Sequence, residues 1–150
     1  MPSVDFSRKV TAPVSPQTAW TTVTDIDRVA GWISVVSAVE EIEHLGRYSA
    51  VVADRLGPFK LSADLIIVVT HIEEFSSIGF MADGEDRQVA SRIKIEAELI
   101  ISPQPEGCEV NVVGNYEVTG RVANLGSSMI RAKGEKILDE FFAKLETELR

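Results

Sequence analysis

Few residues of this chain have a type and spacing suited to catalysis. The two histidines, His44 and His71, fall in different strand-like segments, with no cysteine or carboxylate at ligand spacing. A metal centre needs three or four converging donors, so His44 reads as a histidine of a polar strand face and His71 as one at a strand end. The single cysteine, Cys108, is flanked by Glu106 and Glu109, whereas a reactive thiolate needs an electropositive setting. Glu40, Glu41, Glu43, Glu73, Glu74, Glu96 and Glu98 read as solvated faces and loops. A glycosidase pair must face across a cleft, and alternation turns Glu96 and Glu98 outward. Gly120 and Gly126 lack the glycine pattern and the strand–helix crossover of a phosphate loop. No serine stands in a nucleophile elbow. This reading predicts no catalytic residue, no metal ligand and no cofactor.

Binding has more support. Alternation places Val51, Phe59, Leu61, Ala63, Leu65, Phe80, Ile93, Ile95, Ala97, Val110, Val112 and Tyr116 on an inner face. Leu125, Met129 and Ile130 add an apolar stripe from the last segment, and Gly126 and Gly134 contribute no bulk there. Small-molecule pockets are mostly apolar with a few polar fixtures, and Tyr116 and Ser128 are the candidate fixtures. Each of these positions also reads as ordinary core packing. Trp32 has two readings: a gate stacking on a flat ligand at the mouth, or an anchor for two short helices. The candidate ligand-binding set is Trp32, Val51, Phe59, Leu61, Ala63, Phe80, Ile95, Ala97, Val112, Tyr116, Leu125 and Met129.

The elements that position these residues follow from periodicity. Residues 4–11 predict a first strand ended by Pro13. Ser15 as N-cap and Pro16 at the first helical position open a helix to about Thr24. A second short helix runs from Arg28 to about Ile33, capped by Asp25 or Asp27. Strands are predicted over 39–45, 47–54, 58–69 and 77–82, the last ending in an acidic turn at Asp83-Gly84-Glu85-Asp86. A strand centred on 92–101, a loop at 103–107 and a strand over 109–119 complete the series. From Arg121 to Arg150 there is no proline, and Val122, Leu125, Met129, Ile130, Ile137, Leu138, Phe141, Phe142, Leu145 and Leu149 recur at spacings of three and four. That is the period of one long amphipathic helix with an early bend. The fold class is α+β: a seven-stranded antiparallel sheet wrapped around a long C-terminal helix, with two short helices after the first strand, in one domain over residues 1–150.

Composition bounds the partners. With 15 basic and 23 acidic residues the net charge is −8, which argues against nucleic acid and weakens electrostatic attachment to anionic lipid. No apolar run is long enough to span a bilayer. The start has neither the basic nor the apolar region of a secretion signal, and a lone thiol suits a reducing, cytoplasmic setting. Lys133, Lys136 and Lys144, answered by Glu135, Asp139, Glu140, Glu146 and Glu148, read as a solvated outer helix face.

Several segments carry a resemblance. Ala12-Pro13 with Trp20, Gly57-Pro58-Phe59-Lys60, and above all Gly120-Arg121-Val122-Ala123-Asn124-Leu125-Gly126 leading through Ile130 and Lys136 to Phe141-Phe142 are similar to the CoxG-like family, the G component of aerobic carbon monoxide dehydrogenase. That family lies within the START-type, birch-pollen-allergen-like (SRPBCC) superfamily of helix-grip proteins. The resemblance implies a cavity between sheet and helix that takes a small lipophilic molecule of lipid, isoprenoid or quinone class. It also implies a molybdenum hydroxylase partner, and a place in the cytoplasm with peripheral contact at the inner membrane face. Relatives often carry a further tail, absent up to Arg150, and a Gly-Cys motif where Ala30-Gly31-Trp32 stands here. Two other readings stay open: an enzyme of the polyketide cyclase or dehydratase sort using the same pocket, and an assembly factor that binds a protein.

Overall fold

The computed structural model describes residues 3–150. Strand β1 (Ser3–Ala12) is followed by helices α1 (Pro16–Val23) and α2 (Ile26–Ala30). Six strands come next: β2 (Val36–Glu43), β3 (Arg47–Leu56), β4 (Phe59–Glu73), β5 (Ser77–Asp86), β6 (Ser91–Gln104) and β7 (Gly107–Gly120). A 3-10 turn over Arg121–Leu125 leads into α3 (Ser127–Glu148). The seven strands form one sheet in the order β1-β7-β6-β5-β4-β3-β2, every pairing antiparallel. Hairpins therefore connect β2 through β7, and only β1 reaches its neighbour across the chain. The α+β helix-grip arrangement expected from the sequence is present.

Local chemistry explains the joints. Ser15 caps α1, its Oγ accepting from the Thr18 N–H at 3.1 Å, with Pro16 in the first turn where its missing donor costs nothing. Asp25 stands at the N-cap of α2 without a side-chain cap bond, and that helix ends at Ala30, three residues short of the expected Ile33. The bend before α3 comes from Gly120 (φ 90°) and Gly126 (φ 91°), a region of backbone space that side chains other than glycine enter at a cost. Between them the Ser91 Oγ accepts from Val122 N–H at 2.9 Å and donates to the Val89 carbonyl, pinning the 3-10 turn to the start of β6.

Two local expectations need correction. The acidic stretch Asp83-Gly84-Glu85-Asp86 is not a turn. It continues β5 against β4 and β6, because Asp83 forms a forked pair with Arg92 on the facing strand at 2.9 and 2.6 Å. The chain turns after Asp86, whose carboxylate accepts from Gln88 and Val89 N–H and from Ser62 N–H on β4. The second correction concerns Val51. The register pairs Tyr48, Ala50, Val52, Asp54 and Leu56 with Ile67, Leu65, Ala63, Leu61 and Phe59. These even-numbered positions of β3 share the face of the inner residues of β4. Val51, opposite Asp64, lies on the outer face.

Candidate functional site

Register places Phe59, Leu61, Ala63, Leu65, Phe80, Ile93, Ile95, Ala97, Val110, Val112 and Tyr116 on one face of the sheet, the face that α3 crosses. Their packing differs along the helix. At its C-terminal half, Phe142, Leu145 and Leu149 join Ala19, Trp20, Val23, Trp32, Ile78, Leu99, Ile101, Val110 and Val112 in a dense cluster. At its N-terminal end, Ile130 joins Val122, Val118 and Leu61, with Leu56, Phe59, Ile93, Tyr116 and Leu125 packed around them.

Between these ends the inner face is different. Val52, Ile67, Phe80, Ile95 and Ala97 point toward α3 yet are only half-buried, and they pack against neither cluster. Several residues beside them are small (Ala50, Ala63 and Ala82), while Tyr48 and Leu65 on the same face are large and buried. Along β6 the change is abrupt. Leu99 is 5% and Ile101 3% exposed, while Ile93, Ile95 and Ala97 on the same face stay partly accessible. In a filled interior a large apolar side chain at the centre of a sheet is closed off.

The remaining candidates take varied places. Trp32 is buried and tilts against Phe141 at 5.7 Å between ring centroids, so it anchors the short helices to α3 as part of the dense end. Val112 also belongs to that end. Met129 is 43% exposed at the rim, beside Leu125 and the β3–β4 turn. Gly57 (φ 57°) brings that turn so close that an added Cβ would lie 3.2 Å from the Leu125 side chain. The Arg121 guanidinium lies 5.6 Å from the Phe59 ring centre, a cation–π contact that closes the same corner.

Polar groups on this face are few. The Tyr116 hydroxyl donates to the Ile130 carbonyl at 3.3 Å, and burial pushes its pKa up. The sheet approaches α3 so tightly there that a Cβ on Gly134 would fall 2.1 Å from that oxygen. Ser128 is exposed and offers no fixture. Sequence reading missed Asp54 and Lys133. Asp54 sits at an inner position of β3, and Lys133 reaches it from α3 at 2.5 Å. Lys133 therefore leaves the solvated outer face assigned to it from charge pattern, a correction to the helix reading. The only sequence signal was an aspartate and a lysine each breaking an apolar stripe.

Among the described residues, the histidines and the cysteine stand apart from one another. His44 is exposed, its Nδ1 2.6 Å from Glu41. His71 meets both the Ser77 Oγ (3.5 Å) and Glu98 (3.7 Å) through the same ring nitrogen on the outer face, so the imidazole cannot relay between them as a triad does. Cys108 is buried and burial pushes its thiol pKa up, the reverse of activation. Among the described residues no group of three or more His, Cys, Asp or Glu is placed to hold a metal ion. An open cleft of about 860 Å³ lies at the ends of β4, β5 and β6. Its walls, including Asp64, Asp83, Glu85, Arg87 and Arg92, are charged, which suits no greasy guest. No helix among the described residues is long and apolar enough to cross a membrane.

Comparison with known proteins agrees with this architecture. The profile of the carbon monoxide dehydrogenase CoxG family matches residues 9–150. No protein of curated function matches by sequence. Among solved structures, a conserved protein from Geobacillus kaustophilus superposes with a TM-score of 0.82 at 21% identity, over 98% of this chain and 94% of that one. A START superfamily protein from Mycobacterium smegmatis gives 0.71 at 19% identity, over 98% and 96%. The di-domain ARO/CYC StfQ from the steffimycin biosynthetic pathway gives 0.69 at 11% identity, over 98% of this chain and 51% of that one.

Proposed function

The chain belongs to the carbon monoxide dehydrogenase CoxG family, and on that premise we propose that it binds and carries a small lipophilic molecule between sheet and helix, as an accessory to a carbon monoxide dehydrogenase-type molybdenum hydroxylase. The observation that carries the reading is the half-buried stretch of Val52, Ile67, Phe80, Ile95 and Ala97 between two packed ends. Apolar side chains facing an interior they do not fill favour a guest that removes them from water, at about 25 cal/mol per Å² covered. Such a site selects for greasiness and size, and a lipid, isoprenoid or quinone meets both requirements. Phe59, Leu61, Ala63, Tyr116, Leu125 and Met129 form the flank of the hollow toward the β3–β4 turn, where a guest would pass.

The test is direct. Native mass spectrometry of gently purified protein is expected to show a bound small molecule, and the neutral dye Nile red is expected to bind stoichiometrically. Ala97→Leu fills the hollow and should weaken Nile red at least about tenfold, the loss of one or two buried methylenes' worth of contact. A wild-type protein that binds neither dye nor any co-purified molecule sinks the reading.

A second reading draws on one observation. An enzyme of the polyketide cyclase sort needs a polar pair facing the pocket, and Asp54 with Lys133 is such a pair. Cyclisation or dehydration of a poly-β-keto thioester by the protein, abolished in Asp54→Asn, is the outcome that would favour it.

A further inference from the structure

The inner face carries charge at few places, and nearly all are fully engaged. Arg8 on β1 runs along the rim to Glu135 and Asp139 of α3. Asp86 is held by three backbone N–H groups of the β4 and β5–β6 region. Glu41, at the β2 edge, meets His44. Asp54 is deeper. Its Oδ1 accepts from the Arg55 N–H at 2.8 Å, and its Oδ2 lies 2.5 Å from Lys133 Nζ in an ion pair, so the carboxylate has a partner on each oxygen. Lys133 has three N–H donors, and Asp54 is the one acceptor it meets among the described residues. Both side chains are only about a quarter exposed, 27% for Lys133 and 21% for Asp54.

An ion pair set among apolar walls adds little to stability, since desolvation offsets the attraction. It does impose a chemical preference on whatever lies beside it. Asp54 neighbours Val52 and Leu56 on the same face of β3 and pairs with Leu61, so it borders the hollow at the flank near Met129. Resting on the cavity reading above, we infer that Lys133 and Asp54 form a head-group site that selects a lipophile ending in a neutral oxygen acceptor, a hydroxyl or carbonyl, and rejects one ending in a carboxylate. The free N–H donors of Lys133 bond to the neutral oxygen. The Asp54 carboxylate, fixed in place by Arg55 N–H and Lys133, repels an anionic head held against the same ammonium. The apolar body of the guest then extends along Val52, Ile67 and Ile95.

The experiment compares 1-dodecanol with dodecanoate, two probes of equal chain length, by displacement of Nile red at pH 7. The wild type is expected to prefer the alcohol by about tenfold or more, the scale of one hydrogen bond to a charged group. In Asp54→Asn the repulsion is gone and Lys133 is left without its counter-ion, so dodecanoate should gain and the order should reverse. In Lys133→Gln the carboxylate stands alone and the preference for the alcohol should widen. Thermal melts establish that each variant is folded, and if Asp54→Asn does not fold, Lys133→Gln decides. An alcohol-to-dodecanoate ratio that is the same in wild type and in the folded variants overturns the head-group site while leaving the cavity reading intact. If Nile red itself does not bind the wild type, the cavity reading fails, and this inference with it.

Discussion

The two halves of α3 cross the same sheet on different terms. From Phe142 to Leu149 the helix is embedded: Leu145 is 0% and Leu149 1% exposed, with Trp20 and Val23 of α1 and Trp32 just after α2 closing over them. From Ile130 to Leu138 it is strapped at its edges instead. Tyr116 and Gly134 hold it to β7, Arg8 to β1 through Glu135, and Lys133 to β3; just beyond, the Glu140 carboxylate accepts from Ser34 N–H at 2.6 Å. The lesson is a division of labour along one helix. One end supplies enclosed apolar packing, and the middle is held to the sheet by a few specific contacts.

The sharpest way to break this comparison is to truncate one side chain in each region. Leu145→Ala removes a fully enclosed side chain and should cost about 3 kcal/mol, with a matching drop in the urea midpoint. Ile95→Ala, at a partly accessible inner position outside both packed clusters, should cost about 1 kcal/mol on the cavity reading, because its removal then opens little new cavity. Equal costs at both sites would mean that the middle is packed as densely as the end.

A second prediction concerns the strap at Tyr116. Gly134→Ala would gain about 1 kcal/mol of helix propensity in an open setting. Here the new methyl meets the Tyr116 hydroxyl, and forcing α3 away should give a net loss of about 1–2 kcal/mol. Combining it with Tyr116→Ala should restore the propensity gain, which a double-mutant cycle by chemical denaturation reads directly.

The dense end also sets an alkaline limit. Burial raises the pKa of Cys108 there, and burial likewise raises Tyr48 and Tyr116 along the inner face. Each group binds its proton more tightly folded than unfolded, so its contribution to stability is complete below the unfolded pKa and is lost as pH rises from there toward the folded value. For a thiol the loss starts near pH 8.5 and amounts to at most about 1.4 kcal/mol per pH unit. Urea midpoints measured from pH 7 to 10 should fall, and Cys108→Ala should remove the earliest part of the decline. An unchanged profile in that variant would assign the decline to the tyrosines.

Much of this was legible in the sequence because period and punctuation agreed. Ser15-Pro16 announced α1, the alternation of 59–69 and 93–101 set the inner face, and the apolar spacing from Val122 onward marked a long helix with an early bend. The middle of β3 was not legible. In Arg47-Tyr-Ser-Ala-Val-Val-Ala-Asp54 both phases of the alternation are largely apolar, and the aspartate argues for the wrong one by making the even positions look solvated. Its justification is Lys133, a residue on another element, which no local pattern reveals. The acidic run at 83–86 misled for the same reason, since it is Arg92 across the sheet that makes Asp83 acceptable in a strand. Charges that look like surface in one dimension were here placed by partners distant in sequence.

The smallest expected effect is the most discriminating. Ala97→Leu adds an isopropyl group at the centre of the inner face. In a close-packed core such an insertion forces rotamers and backbone to shift and costs about 1–3 kcal/mol. On the cavity reading it meets no such resistance, and the apolar surface it covers on Phe80 and Ile95, its neighbours by register on the same face, offsets the entropy of fixing it. The expected change in unfolding free energy is therefore within about 0.5 kcal/mol of zero, as for a substitution on a free surface. The same variant should lose Nile red, so stability and binding separate in one molecule. Loss of more than about 1 kcal/mol, the overpacking signature, would place Ala97 inside a filled interior and erase the distinction between the two halves of α3.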